Sequence, residues 1–266
     1  MSKSRIAWTE RVWNPVRGCS PVSSGCAHCY AARMATRFSG AGQPYQGLAR
    51  DGKWTGAVRF VPEMLGAPMR WRKPALVFVN SMSDLFHRDV TDEQIVAVFG
   101  VMANCQQHTF QVLTKRPERV VKLAHKIKWT TNVWLGVSVE NQRVLDARVP
   151  LLLDTPAAVR WVSAEPLLGP LDFSPWSYEV LSCPPPRSLL DWIVVGGESG
   201  PSARPCDWRW LHSVVAQCAV TNTPCFVKQL GEHSNLETQD RVGRNPDEWP
   251  RALRVRQWPR TLGEER

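Results

Sequence analysis

The hydrophobic pattern of the chain alternates between two periods from residue 75 onward. Short apolar runs typical of buried strands begin near residues 75, 109, 133, 159, 192 and 224. Apolar residues at helical spacing follow most of these runs. Helices are predicted after Thr91, after Pro117, around residues 142–152 and around 207–220, and Thr91 to Gln94 has the form of a capping box. This alternation indicates βαβ units and a parallel sheet.

The N-terminal region adds one further unit. The short apolar pieces Ile6–Glu10 and Val12-Trp13 predict a first strand, and Tyr30, Met34 and Phe38 fall on one face of a predicted helix. About six or seven βα units predict an α/β fold with a complete or partial (β/α) barrel, and a doubly wound open sheet is the alternative. We expect one domain over residues 1–232, with an irregular basic insertion at 39–74 and a basic C-terminal extension at 233–266.

Three cysteines occupy the loop between the first strand and the first helix. Cys19, Cys26 and Cys29 have C-x6-C-x2-C spacing, among Gly, Pro and Ser residues that let the chain bend until the thiols converge. The shorter gap is typical of two ligands to one metal centre. No fourth cysteine lies nearby, so a three-thiolate site would leave one coordination position open. A 4Fe–4S cluster suits this arrangement. Zinc is an alternative, but it would need a fourth ligand. The remaining alternative is that the cysteines form a disulfide or are three unrelated thiols.

A histidine and two further cysteines are candidates for the fourth zinc ligand. His28 lies between two of the loop cysteines, in a cramped position for sharing their metal, whereas Cys183 and Cys206 lie in distant loops. Either distant cysteine would have to be brought to the loop by the fold.

The charge and composition of the chain indicate which class of partner it binds and in which compartment it works. The net charge of +9 favours a polyanionic partner, above all nucleic acid. The thirteen tryptophans are residues that can stack on bases, but at helical or strand positions tryptophan more often belongs to the core. No signal peptide and no apolar stretch long enough to span a membrane is visible, so we expect a cytoplasmic protein with no membrane association. In that compartment the eight cysteines are expected to be thiols and metal ligands.

Small and polar residues follow the predicted strands at their carboxyl ends, where α/β barrels carry their active sites. Glutamates and serines suit the hydroxyl, amino and adenine groups of S-adenosyl-L-methionine (SAM), lysines suit a carboxylate or phosphate, and paired glycines allow close backbone approach. The cysteine loop would lie at the same mouth. The candidate cofactor-binding residues are Ser81, Asp84, Lys115, Ser138, Glu140, Ser163, Glu165, Gly196, Gly197, Glu198 and Lys228. No catalytic residue is identified.

Several ordered blocks carry a resemblance to a known family. These are Trp13-Asn14-Pro15, Gly18-Cys19, Gly25-Cys26, Cys29-Tyr30-Ala31, Ser163-Ala164-Glu165-Pro166-Leu167 and Gly196-Gly197-Glu198-Ser199-Gly200. Over roughly residues 5–232 the chain resembles the phage and bacterial three-cysteine-motif, radical-SAM-like proteins. The resemblance implies a barrel of radical-SAM type, a 4Fe–4S cluster on Cys19, Cys26 and Cys29, and SAM as a second cofactor. It also implies a separate partner protein and an electron donor such as flavodoxin or ferredoxin.

Two features depart from the radical-SAM pattern. The first cysteine gap is six residues where C-x3-C-x2-C is common, and the Gly-Gly-Glu block comes late in the chain. The leading hypothesis is a radical-SAM enzyme that generates a 5′-deoxyadenosyl radical and acts on nucleic acid, in modification or repair. A zinc-bound, non-catalytic nucleic-acid-binding protein and an iron–sulfur scaffold that works with a partner protein are the alternatives.

Overall fold

The computed structural model describes residues 4, 6–178 and 187–259. Its contacts divide the chain into two compact units, one of Met1–Val137 with Pro150–Ala158 and the other of Ser138–Val149 with Val159–Arg266. The possible ligand Cys183 lies outside the described residues.

The first unit is built on four parallel strands that stand in chain order. The strands are β1 (Arg11–Trp13), β2 (Leu76–Val79), β3 (Thr109–Thr114) and β4 (Val133–Ser138). Val79 lies opposite Trp13 on one side and Val112 on the other. All six residues of β4 are buried, which explains why the strand is almost continuously apolar, as expected for a parallel strand covered on both faces.

Four helices accompany these strands: α1 (Tyr30–Thr36), α2 (Pro62–Leu65), α3 (Asp92–Asn104) and α4 (Pro117–Leu123). The predicted capping box of α3 is confirmed. The Thr91 hydroxyl accepts a hydrogen bond from the Gln94 amide at 3.3 Å, and the Gln94 side chain accepts one from the Thr91 amide at 3.0 Å. Two orphan amides are thereby satisfied, and α3 begins at a defined residue.

Residues 39–74, predicted to be irregular, contain short elements. Val16–Arg17 pairs antiparallel with Arg59–Phe60, and Ala49–Arg50 pairs with Lys53–Trp54. Together with α2 and the 3-10 turn Pro68–Arg70, these ladders hold the segment in a defined path.

The second unit contains three parallel strands, again in chain order. They are β5 (Val159–Ala164), β6 (Trp192–Gly196) and β7 (Cys225–Gln229), and its long helix is α6 (Trp208–Val220). Helix α5 covers Gln142–Leu153. Strand β6 pairs with both neighbours, so that Val194 lies opposite Ser163 and Phe226. A two-residue antiparallel ladder joins Ser177–Tyr178 to Arg187–Ser188.

The C-terminal residues described by the structure pack against β7. The Val227 amide donates to the Val255 carbonyl at 2.8 Å, and Trp249 and Leu253 are buried. The 3-10 turns Pro246–Glu248 and Arg251–Leu253 lie in this segment. Residues 233–259 therefore contribute to the hydrophobic core of the second unit.

The fold is mixed α/β, and its seven parallel strands follow one another in chain order. This order is consistent with a partial (β/α) barrel and lacks the reversal of strand order that a doubly wound sheet requires. The six strands predicted from residue 75 onward are found within one or two residues of the expected positions. The first strand is shorter than predicted, since only Arg11–Trp13 is extended and paired. Within the described residues, no helix is both long and apolar enough to cross a membrane.

Candidate metal centre and strand-end ion pairs

The cysteine loop leaves β1 at a glycine that no other residue could replace without strain. Gly18 has φ +89°, and a Cβ atom there would lie 2.2 Å from the Ala57 carbonyl oxygen. Gly18 also forms a parallel bridge with Ser83, which follows β2. The close backbone contacts on both sides fix the point from which Cys19 projects.

Arg116, directly after β3, ties the loop to the strand ends. Its Nη1 atom lies 3.8 Å from Cys19 Sγ and 2.9 Å from Asp84 Oδ2. Its Nη2 atom donates to the Ser20 carbonyl at 2.9 Å and to the Ser20 hydroxyl at 3.1 Å. One guanidinium thus joins the cysteine loop to the carboxyl ends of β2 and β3, using the fixed fork geometry that arginine provides.

Asp84 orients that guanidinium. The carboxylate is 5% exposed, and Oδ1 accepts from the Thr114 hydroxyl at 2.8 Å and from the Phe86 amide at 3.0 Å. Oδ2 accepts from the Lys115 amide at 3.0 Å and from Arg116. Four donors offset the cost of burying the charge, so Asp84 acts as a rigid anchor for the site.

A buried histidine supports the other side of Ser20. His87 Nε2 lies 2.7 Å from the Ser20 hydroxyl, and the Asp89 amide donates to His87 Nδ1 at 3.2 Å. Because Nδ1 accepts, the ring proton belongs on Nε2, which donates to Ser20. Burial, aided by the nearby Arg116 charge, lowers the pKa of His87 and so favours this neutral form.

The three loop cysteines are free thiols and half-buried. Cys26 ends a 3-10 turn, and Cys29 precedes α1 and packs against a small cluster that includes Ala31 and Met82. Burial, with the nearby Asp84 charge, raises the pKa of Cys19 to about 11. Among residues 4, 6–178 and 187–259, no three His, Cys, Asp or Glu side chains already form an arrangement that could hold a metal ion. The fit therefore rests on donor chemistry: three reduced thiols on one loop, with a guanidinium beside the first to stabilise a thiolate.

The second unit has ion pairs at the ends of its own strands. Lys228 Nζ lies 2.9 Å from Glu165 Oε1, and the Ser163 hydroxyl donates to the other oxygen at 3.3 Å. Arg204 donates to Glu198 through its backbone amide and Nε, each at 2.9 Å, and through Nη2 at 2.6 Å. Each carboxylate therefore has a cationic partner within the chain.

The third pair is the most enclosed. Glu140 is 0% exposed and lies 3.5 Å from Arg148 Nη1, which also donates to the Ser138 carbonyl at 2.7 Å. By contrast, the side chains of Glu165 and Lys228 are 12% and 25% exposed. A ligand would reach the latter pair at a smaller desolvation cost.

The paired glycines after β6 permit close packing within the protein. A Cβ atom on Gly197 would lie 2.2 Å from the Leu230 carbonyl oxygen and 2.7 Å from Gly231 Cα, while one on Gly196 would lie 2.9 Å from Glu165 Oε1. The predicted close approach is thus made to the backbone after β7 and to a candidate carboxylate.

The structure brings some predicted residues together and leaves others apart. Cys19 and Asp84 meet through Arg116, whereas Lys115 contributes its amide and Ser81 bonds instead to Asn14 at 3.2 Å. The residues that sequence reasoning missed are the partners Ser20, His87, Arg148 and Arg204. Of these, only Ser20 carries a local signal, its position beside Cys19.

These features define a parallel α/β protein with a three-cysteine loop after its first strand and ion pairs at the ends of its later strands. The chain belongs to the family described as Protein of unknown function (DUF5131), whose model matches residues 3–260. No curated protein and no solved structure matches the chain.

Proposed function

We propose that this protein is a radical-SAM-type iron–sulfur enzyme in which Cys19, Cys26 and Cys29 hold a 4Fe–4S cluster and SAM is the second cofactor. The observation that carries the proposal is the anchored loop: three free thiols follow β1, and Arg116, held by Asp84, ties Cys19 and the adjacent Ser20 to the ends of β2 and β3. When bound with SAM, such a cluster supplies the electron that yields a 5′-deoxyadenosyl radical for hydrogen abstraction.

The residues of the first unit would prepare the site for an anionic centre. Arg116 places positive charge 3.8 Å from Cys19 Sγ, which offsets negative charge on that thiolate. Metal binding replaces the thiol proton, so loading of the cluster releases protons. The raised pKa of Cys19 opposes that release. The neutral His87 holds Ser20 and thereby the backbone next to Cys19.

The Glu165–Lys228 pair is proposed to bind the polar groups of SAM. It is more exposed than the Glu140–Arg148 pair and offers both an anion and a cation, which suit an amino group and a carboxylate. The Glu140–Arg148 and Glu198–Arg204 pairs would brace the loops that carry them.

Nucleic acid is the proposed substrate class, supported by the net charge of +9. A cytoplasmic location, a separate partner protein and an electron donor such as flavodoxin or ferredoxin complete the proposal. These follow from composition and from the resemblance described above.

The test is anaerobic purification and reconstitution, followed by iron and sulfide analysis and low-temperature EPR with and without SAM. About four irons per chain, a SAM-perturbed signal and 5′-deoxyadenosine production are expected. Cys19→Ser, Cys26→Ser and Cys29→Ser should each lose the signal. The matched control is Cys105→Ser, a buried cysteine at the end of α3, which should keep it. One zinc and no iron per chain would refute the enzyme and favour the zinc-bound binding protein; a cluster without SAM cleavage would favour the scaffold.

A further inference from the structure

Helix α1 presents its large apolar residues to solvent. Tyr30, Met34 and Phe38 are 45%, 43% and 47% exposed, whereas Ala31 and Ala35 are buried. The alanines pack with Ala49 of the ladder formed by Ala49–Arg50 and Lys53–Trp54. Tyr30 and Met34 lie in α1, and Phe38 lies two residues beyond its end. This row of three exposed large apolar side chains indicates a contact surface.

Two arginines lie near this row: the Tyr45 amide donates to the Phe38 carbonyl at 3.0 Å, and the Arg17 guanidinium lies 5.6 Å from the centre of the Tyr45 ring. Arg17 and Arg59 are directly opposite in their antiparallel ladder. Both guanidiniums reach the carbonyl oxygen of Pro44, at 3.5 and 3.4 Å, and Arg59 also donates to the Gln46 carbonyl at 2.8 Å. Among the residues that the structure describes, no carboxylate pairs with either. Like charges directly opposite on a ladder are destabilising, and an anion bound between them would remove that cost.

The surrounding segment concentrates the charge of the chain. Residues 11–62 contain seven Lys or Arg residues and one acidic residue, Asp51, which gives a net charge of +6 out of the total of +9. Arg37, Arg50 and Lys53 in this segment are exposed. This charge selects a polyanion over an apolar or basic partner.

The row and the arginine pair flank the cysteine loop. Arg17 precedes Cys19 by two residues, and Tyr30 directly follows Cys29. The Tyr30 hydroxyl donates to the Ser81 carbonyl at 3.0 Å, which fixes its ring at the edge of the loop. A ligand lying across this surface would pass the loop cysteines.

We infer that Arg17, Arg59, Tyr30, Met34 and Phe38 form a binding surface for single-stranded nucleic acid, called here the α1 surface. The arginines contact backbone phosphates, and the apolar row contacts unpaired bases. Exposed aromatic side chains beside a basic groove bind single strands because each unpaired base offers a face for stacking, which a duplex conceals. The inference rests on the proposed function for its substrate class, but binding to the α1 surface requires no cluster.

Binding is measured by fluorescence anisotropy of the full chain with a labelled 20-nucleotide single strand of DNA or RNA, and with the matching duplex. The single strands should bind at least tenfold more tightly than the duplex. Phe38→Ala should weaken single-strand binding roughly tenfold, as expected for loss of one stacked base. The matched control is Val220→Ala, an exposed apolar residue at the end of α6, which should bind as the wild type does.

The arginine pair is tested by salt dependence. The double variant Arg17→Gln with Arg59→Gln should have a less steep fall of log K with log salt. The magnitude of the slope should decrease by about 1.4, since each phosphate contact with a single strand contributes about 0.7. Arg251→Gln, an exposed arginine of the second unit, should leave the slope unchanged. Equal affinity for duplex and single strand, no effect of Phe38→Ala, or no binding would each overturn the inference. In the last case a protein partner would be left as the occupant of the α1 surface.

Iron content is measured on the same variants to separate the two proposals. If the double arginine variant loses single-strand binding but still loads its full iron content, the result supports the α1 surface independently of the cluster. Wild-type chain that takes up no iron but binds single strands as predicted would refute the iron–sulfur enzyme and retain the α1 surface.

Discussion

Asp84→Asn tests whether one buried carboxylate holds the candidate metal centre in place. The substitution keeps the size of the side chain but removes its charge. An amide can still accept from Thr114 and Phe86 through its oxygen, but its NH2 group then faces the Lys115 amide and Arg116, both of which are donors. Two hydrogen bonds are lost and the guanidinium loses its counter-ion.

The magnitude follows from burial. Removing one partner of a buried ion pair costs about 3–5 kcal/mol, because the other charge is left uncompensated. The Arg116 side chain is 14% exposed, so water can solvate part of the charge and the lower end, about 3 kcal/mol, is expected. For a chain of this size that corresponds to a fall of about 6–12 °C in the melting temperature.

The assay is thermal unfolding followed by circular dichroism, together with iron per chain after reconstitution. Iron loading should fall as well, since Arg116 no longer holds the loop at Cys19. Asp92→Asn is the control, because Asp92 pairs with Arg119 and Lys126 at an exposed position and should shift the melting temperature far less. A melting temperature for Asp84→Asn within about 2 °C of wild type would refute the anchoring role. Normal iron loading despite a large destabilisation would limit that role to stability.

Three further predictions concern other parts of the chain. Gly197→Ala should destabilise the protein by about 1–3 kcal/mol in urea unfolding, because its Cβ would meet the backbone at residue 230. The control is Gly100→Ala in α3, whose Cβ meets no atom within 4 Å, so this variant should be neutral or stabilising. Equal effects of the two substitutions would contradict the close packing at Gly197. Thr91→Ala should cost about 1 kcal/mol through loss of the α3 cap, measured the same way, and an unchanged urea midpoint would count against it. Burial, with the nearby Asp207 charge, raises the pKa of Cys206 to about 12 from its ordinary value of 9.0. The folded state therefore retains this proton longer, and its contribution to stability is full below pH 9 and lost as the pH rises toward 12. The urea midpoint of Cys206→Ala should thus fall less between pH 8 and 11 than that of wild type, and parallel curves would contradict this.

Regular elements were the most predictable part of the fold. Strands β3 and β5 begin at residues 109 and 159, where their apolar runs predicted them, and α3 was predicted from its capping box. Buried strands and capped helices depend on residues close together in sequence. Short pairings such as Arg17 opposite Arg59 have no such local signal. They depend on contacts between residues far apart in the chain.

Helix α1 shows a limit of predictions from hydrophobic periodicity: the pattern does not tell which face of a helix is buried. Spacing predicted a helix with Tyr30, Met34 and Phe38 on one face, but α1 ends at Thr36, before Phe38. The spacing also did not tell which side of the helix the protein covers. The usual expectation is that large apolar residues face the core. Here the covered side of α1 carries Ala31 and Ala35, which pack with Ala49 of the neighbouring ladder, and the larger side chains lie on the exposed side.

The sequence by itself determined the alternation of strands and helices, the three-cysteine loop and the concentration of polar residues after the strands. Each of these features depends on the order and spacing of residues that are close together in the chain. Only the tertiary structure decided which charges meet. Asp84 with Arg116, Glu140 with Arg148 and Glu198 with Arg204 are pairs that a buried carboxylate requires. Any of several basic residues could satisfy that requirement, and the choice is made by distance and burial after the chain has folded.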